Sequence, residues 1–358
     1  MRELTVNRPL ANTYRWLKAN GTSIRFPTLC GSLQASWTLA PRNIRQDAGI
    51  IPVSIRGGMG ADMDQYVAEG VAAGTEPLGF TTLPGAEETL RIGLKRTPCS
   101  GASLGALWFR AGRGSRLTAI VDVSAQDAEP GAAALQIRCD AAESAAVRLV
   151  LIQRLGQGET LLSDVGARCA EHGRFEYVRL VLGGGTTYDG CSAALEGDRS
   201  SFAADIGYRL GGKETLDMNY EAVHTGKKTE CAISASGVLR EEAFKLFRGT
   251  IDLRKGCSGS VGNETEDVLL MDETVRNTTV PVILCGEENV EGNHGATIGR
   301  LDEGLIYYLE SRGMRREDIY ELCARARIDA VVRKIQDGET IRRLFPWLAE
   351  ENGGEAGI

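Results

Sequence analysis

Histidine is nearly absent from this chain. His172, His224 and His294 are the only three in 358 residues, so chemistry that needs imidazole has three places to occur. Proline is sparse at 10 residues. Positive charge is in deficit: 41 Lys+Arg against 48 Asp+Glu leaves 41 − 48 = −7, with a pI near 5.3. That balance excludes the basic footprint of a nucleic-acid binder. No run reaches the roughly 18 apolar residues of a membrane-spanning helix, and the opening MRELTVNRPLANTYRWLKAN lacks the apolar core of a signal peptide. The nine cysteines (Cys30, Cys99, Cys139, Cys169, Cys191, Cys231, Cys257, Cys285, Cys323) are odd in number and contain no C-x-x-C pair. Reduced thiols and a cytoplasmic location are therefore expected, with no membrane and no nucleic-acid partner.

Glycine, by contrast, is abundant: 44 of 358 is about 12%, against a usual value of about 7%. Many glycines with few prolines suit a turn-rich β protein. From about residue 80 to 290 the dominant signal is alternation at period two, which puts every second side chain on one face of a strand. Leu117, Ala119, Val121 and Val123 alternate, as do Leu135, Ile137 and Cys139, then Val147, Leu149 and Leu151. Phe202, Ala204, Ile206, Tyr208 and Leu210 make the longest run. After Gly211-Gly212 it is followed by Leu216, Met218, Tyr220 and Ala222, with His224 at the next inward position. No helical pattern interrupts these strands, which argues against a doubly wound α/β fold and leaves a sandwich, barrel or solenoid. The runs recur without an exact period and are separated by glycine-rich corners at Gly183–Gly185, Gly211-Gly212 and Gly256–Gly262, as stacked coils require.

The flanks read differently. Before residue 60, Trp16, Leu17 and Asn20-Gly21 point to a small helix and turn, and Ile50–Ile55 to a strand. After residue 300 the period becomes helical. Asp302 and Glu303 open a first helix whose apolar face is Leu305, Tyr308 and Leu309, stopped at Gly313. Glu317 and Asp318 open a second, with Ile319, Leu322, Cys323, Ala326 and Ala330 on one stripe and Gly338 after its end. A short third segment, Thr340 to Leu344, is expected to end before Phe345-Pro346-Trp347, and the EENGGEAGI tail is expected to be disordered. Such helices serve either to cap a β core or to dock a partner.

Three motifs suggest enzyme chemistry and fail on context. Gly101-Ala102-Ser103-Leu104-Gly105 matches the G-x-S-x-G elbow, which needs a strand before the serine and a helix after it; a strand-like run follows Ser103 instead. Gly207 to Lys213 lacks the phosphate-loop spacing, and Glu214 stands where a hydroxyl would hold magnesium. Gly57–Met63 (GGMGADM) lacks the dinucleotide spacing and reads as a turn. The densest set of unusual residues is Cys285–Arg300, CGEENVEGNHGATIGR, where His294 could serve as a metal ligand alongside a thiolate or carboxylate. On composition alone a hydrogen-bonded structural histidine at a strand-to-helix corner is the preferred account of His294, and a buried core residue that of Cys285.

The run NHGATIGRLDEGLIYYLESRGMRRED (Asn293–Asp318) resembles the signature near the end of the SufB/SufD proteins, scaffold subunits of the SUF iron–sulfur cluster assembly machinery. VHTGKKTECAISASGVL (Val223–Leu239), LFRGTIDLRKG (Leu246–Gly256) and DVLLMDETVRNTTVPVI (Asp267–Ile283) follow in family order. NRPLANTYRWLKAN (Asn7–Asn20) resembles the opening of short SufD-like members. The resemblance implies a mainly β fold: a right-handed parallel β-helix with a small N-terminal cap over 1–75, a core over 76–296, a C-terminal helical subdomain over 297–348 and a tail over 349–358. It also implies a chain shorter than typical members, lacking much of their helical N-terminal region.

By the same resemblance the chain is a non-enzymatic scaffold. Its C-terminal helices (Tyr308, Leu309, Ile319) would bind the ABC-type ATPase SufC, and its β-helix would pair with a SufB-type subunit or an identical one. A transient iron–sulfur cluster would form at the subunit interface, with none stably bound. His294 matches the histidine proposed to act there. Glu266, before DVLLMD, stands where SufB-type members carry a cysteine, and NHGAT replaces their EHEAT, so a SufD-like role is implied; Cys285 is a further candidate ligand. The competing readings are a β-solenoid enzyme such as a polysaccharide lyase, a hydrolase using Ser103, and a structural β-helix without a cluster role.

Overall fold

The computed structural model describes residues 1–13, 15–37, 42–48, 54–96, 98–125 and 130–350. The chain is 54% strand and 15% helix, arranged as a parallel β-solenoid of about 7 turns with a C-terminal helical region. Each coil contributes one strand to each of two sheets. The first sheet stacks Leu78–Thr82, Ala102–Ala111, Gly131–Ala141, Glu159–Cys169, Thr186–Leu195, Thr215–His224, Phe244–Leu253 and Arg276–Cys285. The second stacks Glu87–Arg96, Arg116–Ala125, Ala146–Arg154, Arg174–Leu182, Ser201–Leu210, Glu230–Leu239, Val261–Leu270 and Glu291–Gly299.

The alternating residues read from the sequence face the space between these sheets. Leu117, Val121, Leu135, Ile137, Leu149, Phe202, Ile206, Tyr208, Leu216, Met218 and Tyr220 all belong to one continuous buried core. Each fully buried large aliphatic or aromatic side chain contributes about 1.5–3 kcal/mol of transfer free energy, so the pattern and the fold have one cause.

The advance per coil varies from 26 residues (186 − 160) to 32 (276 − 244), and this variation is why no exact repeat is visible. Strand register is conserved while the corners absorb the difference in length. At one corner the backbone N–H groups of Gly114, Ser144, His172, Arg199, Lys228 and Gly259 donate to carbonyls of Glu143, Glu171, Asp198, Lys227, Ser258 and Asn289 on the following coil. All six positions have left-handed φ, between 54° and 79°. The ladder of hydrogen bonds holds even non-glycine residues in that conformation, so composition alone does not locate every corner.

The N-terminal end is closed by antiparallel strands: Ile44–Ala48 pairs with Leu78–Thr82, and Gln34–Trp37 with Glu87–Arg96. A 3-10 turn at Arg15–Leu17 and a positive φ at Gly21 bear out the small helix and turn. Most of the expected strand at Ile50–Ile55 lies outside the described residues, as does the tail from 351. The reading of Gly57–Met63 as only a turn is corrected: Gly60 caps helix α1, Ala61–Ala72. This helix buries Met63, Tyr66, Val67 and Gly70 on the outer face of the first sheet against Ala102, Leu104 and Ala134. Gly70 is required there, because a Cβ would lie 2.3 Å from the Leu104 side chain.

A second correction concerns the cysteines. Leu29–Ser32 pairs with Ala102–Ala111, and this brings Cys30 to a Cα–Cα distance of 6.2 Å from Cys99, to which it is joined as a disulfide. The pairing follows from strand docking across 69 residues, which spacing in sequence does not reveal.

The C-terminal helices are α2 (Glu303–Glu310), α3 (Arg316–Val332) and α4 (Gly338–Glu350). The Asp302 side chain accepts from Leu305 N–H, as the acidic start of α2 suggested. The expected faces differ. In α2 the buried residue is Ile306, and Leu305 and Tyr308 are exposed; in α3 Ile319 is buried with Ala324, Ile328, Val331 and Val332, while Leu322, Ala326 and Ala330 face solvent. The cause is the outer face of the second sheet. Val150, Val178, Leu180 and Leu182 there attract the aliphatic Ile328–Val332 side of α3 rather than the more even stripe. The last helix also runs through Pro346 to Glu350 instead of ending at Leu344. Proline removes one N–H donor from a helix that has other bonds on both sides. No described helix is long and apolar enough to cross a membrane.

Candidate functional site

At its C-terminal end the solenoid has no cap among the described residues. Arg276–Cys285 and Glu291–Gly299 are the last strands of their sheets. Their inward positions, buried in every earlier coil, are open here: Ile298 is 39% exposed, and Ala296 is exposed as well. The inward chemistry changes at the same place. On Val261–Leu270 the inward positions before Val268 include Glu264 and Glu266; the earlier coils stack Ile233, Ala204, Tyr177 and Leu149 under the first, and Ala235, Ile206 and Leu151 under the second, where Arg179 is the one buried charge.

Glu266 is fully buried and satisfied. Lys245 Nζ, itself buried, donates to Oε1, and Thr279 Oγ1 donates to Oε2 at 2.6 Å. Burial lowers the Lys245 ammonium from its ordinary value, and the adjacent Glu266 opposes the shift. The Tyr208 hydroxyl is buried without a hydrogen-bond partner, and burial with the nearby Glu266 pushes it well up.

Glu264 lies one inward step further along and is different. Its side chain is buried, neither carboxylate oxygen has a hydrogen-bond partner among the described residues, and desolvation followed by the repulsion of Glu266 raises it to about 7. Gly249 makes the room, since a Cβ there would meet the Glu264 carboxyl at 2.3 Å. The strand register pairs Glu264 with His294 on the final coil, and His294 Nδ1 stands 3.7 Å from Glu264 Oε1 with its ring partly open to solvent.

The cluster-assembly candidates from the sequence all lie on the last two coils. His294 and Glu266 share the open end, in register with neighbouring positions of the last two coils. Cys285 is exposed and pairs with Leu253 at the far end of its strand, six residues beyond Thr279 (285 − 279). Among the described residues no group of three or more His, Cys, Asp or Glu side chains converges as a metal site. His224 sits elsewhere in the core: its Nδ1 shares a 2.7 Å hydrogen bond with Thr229, and burial lowers it to about 4, so it stays neutral. Ser103 is buried within the strand Ala102–Ala111, where its neighbours pair with Gly131–Ala141, and no helix follows it. Sequence reasoning missed Glu264 and Lys245. Two carboxylates at inward spacing in N-E-T-E-D-V-L-L were a readable signal for the first.

Comparison with known proteins joins this geometry to a family. Residues 98–327, 230 of 358 or about 64% of the chain, match the family model of the SUF system FeS cluster assembly SufBD core domain. The chain belongs to the SufBD family. It is 28% identical over 183 residues to the iron–sulfur cluster assembly protein SufD of Bacillus subtilis, covering 50% of this chain and 41% of that protein. It is 23% identical over 191 residues to a SufBD family protein of Mycobacterium bovis, covering 53% and 23%, and 23% identical over 196 residues to one of Staphylococcus saprophyticus, covering 54% and 42%. The matched stretch thus spans less than half the length of each of these relatives. In this SufBD core the matched region includes the whole open end, from Lys245 through His294, together with α2 and most of α3.

Proposed function

We propose that this chain is a SufD-like scaffold subunit of iron–sulfur cluster assembly. It pairs through the open end of its solenoid with a SufB-type subunit or a second copy, and binds a SufC-type ATPase through its C-terminal helices. The observation that carries this reading is the uncapped end, which presents unpaired strand edges and an open polar core together. Such an end is unstable against association, and a subunit that completes it would enclose His294 and the buried carboxylates in a low-dielectric compartment. Iron and sulfide would be cargo there, held transiently by imidazole, carboxylate and the partner's groups.

The helical face supports the second contact. Leu305, Tyr307, Tyr308 and Leu322 expose 42–74% of their surface, the first three on α2, which packs on α3, and the last on α3, which packs on the solenoid. Ile319, fully buried, holds α3 in place rather than meeting a partner. Glu266 in place of the SufB-type cysteine favours the SufD-like assignment. Its pairing with Lys245 and Thr279 gives it a structural function that a thiolate would not perform equally.

The test is co-purification of the chain with SufC and a SufB-type subunit, with and without ATP, followed by anaerobic iron and sulfide analysis. A complex carrying iron and sulfide, lost in His294→Ala without loss of the complex, is the expected result. Absence of any complex from folded protein would overturn the reading and leave a structural solenoid.

A further inference from the structure

We propose that Glu264 and His294 form a half-site for a borderline divalent cation such as Fe2+ or Zn2+, with Glu264 as a ligand in its own right and the remaining positions left to water or to the subunit that closes the open end. The inference rests on the scaffold reading only for the identity of that closing subunit.

Glu264 is the unexplained residue of the core. A buried carboxylate without donors is costly, and proteins neutralise such groups by protonation, pairing or metal binding. Here the neighbouring cation, Lys245, is already given to Glu266, and no described hydroxyl or amide donates to either Glu264 oxygen. The group that does face it is His294, and the separation is informative. At 3.7 Å, Nδ1 and Oε1 stand beyond hydrogen-bond range. An ion about 2.1 Å from each, an ordinary length for zinc-like bonds to imidazole and carboxylate, would span that gap at an angle of about 124°, close to trigonal. Imidazole with carboxylate selects iron and zinc-like ions over magnesium or calcium, which prefer oxygen alone.

The surroundings fit an ion that is delivered and released. Glu264 is fully enclosed, whereas the His294 side chain keeps 27% exposure, so the site opens toward the solenoid end. Gly249 leaves the carboxylate room that a Cβ, 2.3 Å from it, would take away. Glu266, fixed by Lys245 and Thr279, is not free to join, which is why the half-site has two protein ligands from this chain rather than three.

The test uses the full chain carrying Cys285→Ser, so that the exposed thiolate does not compete, and Co2+ as the probe under anaerobic conditions. With only three histidines, imidazole NMR assigns the ion directly. Substoichiometric Co2+ should broaden His294 and spare His172 and His224, and Glu264→Gln, isosteric and uncharged, should weaken Co2+ binding at least tenfold. Equal affinity in Glu264→Gln, or broadening that begins at His172, would overturn the proposal. Should that variant misfold, Glu264→Asp, which keeps the charge and withdraws the carboxylate by one methylene, should weaken Co2+ binding as well, and equal affinity there would overturn the proposal. Co2+ bound at His294 in a chain that recruits no SufC or SufB-type partner would sink the scaffold reading alone. A complex that loads iron and sulfide normally with Glu264→Gln would sink the half-site alone.

Discussion

Arg179 and Asp189 form an ion pair of 2.9 Å inside the solenoid, where neither side chain exposes more than 1% of its surface. The Tyr220 hydroxyl donates to the other Asp189 oxygen at 2.6 Å, and Arg179 Nη2 donates to Gln153 Oε1 at 2.6 Å. Arg179 Nη1 donates to the Leu180 carbonyl at 3.0 Å, so both Asp189 oxygens and all three Arg179 nitrogens are engaged. Truncating one member leaves a buried charge without a counterion, which costs about 3–5 kcal/mol. Asp189→Ala should lower the urea midpoint accordingly, and the double replacement Arg179→Met with Asp189→Leu should recover much of the loss. Additive destabilisation in the double variant would show that the pair is not a unit.

The raised carboxyl of Glu264 sets a pH dependence. Its folded value of about 7 lies above the ordinary 4.5, so between these pH values the folded chain holds a proton that the unfolded chain releases. Stability is then highest below about pH 4.5 as far as this group is concerned, and it falls as pH rises to 7 and stays low above it. Linkage puts the full effect at about 3 kcal/mol. Glu221, also raised to about 7 by burial and opposed by Arg56, acts in the same direction. Glu264→Gln should stabilise the metal-free chain at pH 8 and change little at pH 4.5, as measured by urea unfolding at both values. An unchanged pH profile would contradict the burial of an unpartnered carboxylate.

The Cys30–Cys99 disulfide closes a long loop that contains α1. The chain-entropy model gives about 4 kcal/mol for a loop of this size. Thiol titration of the denatured, unreduced chain should find seven free cysteines, the seven outside the pair, and nine after reduction. Cys30→Ser should lower the thermal midpoint. A count of nine without reductant would mean that the two thiols are not joined.

Exposed and buried positions of the C-terminal helices should part cleanly. Tyr308→Ala with Leu322→Ser should leave the melting temperature within about 2 °C, because surface changes stay near 0.5 kcal/mol, yet reduce SufC capture at least tenfold. Ile319→Ala should instead cost about 2–5 kcal/mol through the cavity it leaves. Full SufC capture by the double surface variant would place the contact elsewhere.

Much of the solenoid was legible because its cause is local. Phe202, Ala204, Ile206, Tyr208 and Leu210 alternate in the chain, and alternation has one geometric meaning in a strand. The helix starts at Asp302 and Glu317-Asp318 were legible for the same reason, since capping and the helix dipole act within one turn. Helix α1 escaped because its apolar residues are few and its packing relies on Gly70 and on alanines contributed by other strands. The faces of α2 and α3 escaped because an amphipathic pattern states that one side is apolar without stating what surface lies opposite.

The site divides along the same line. Alternating hydrophobicity determined the strands and their inward faces, and the NHGATIGR run carried the family resemblance that implied stacked coils and singled out His294, since both are properties of adjacent residues. Only the tertiary structure decided that Glu264 faces His294 across consecutive coils, that Lys245 is given to Glu266, and that the solenoid ends without a cap among the described residues. These depend on which residue of one coil stands over which residue of the next. With corners of unequal length, that registration is settled by packing through space and not by distance along the chain.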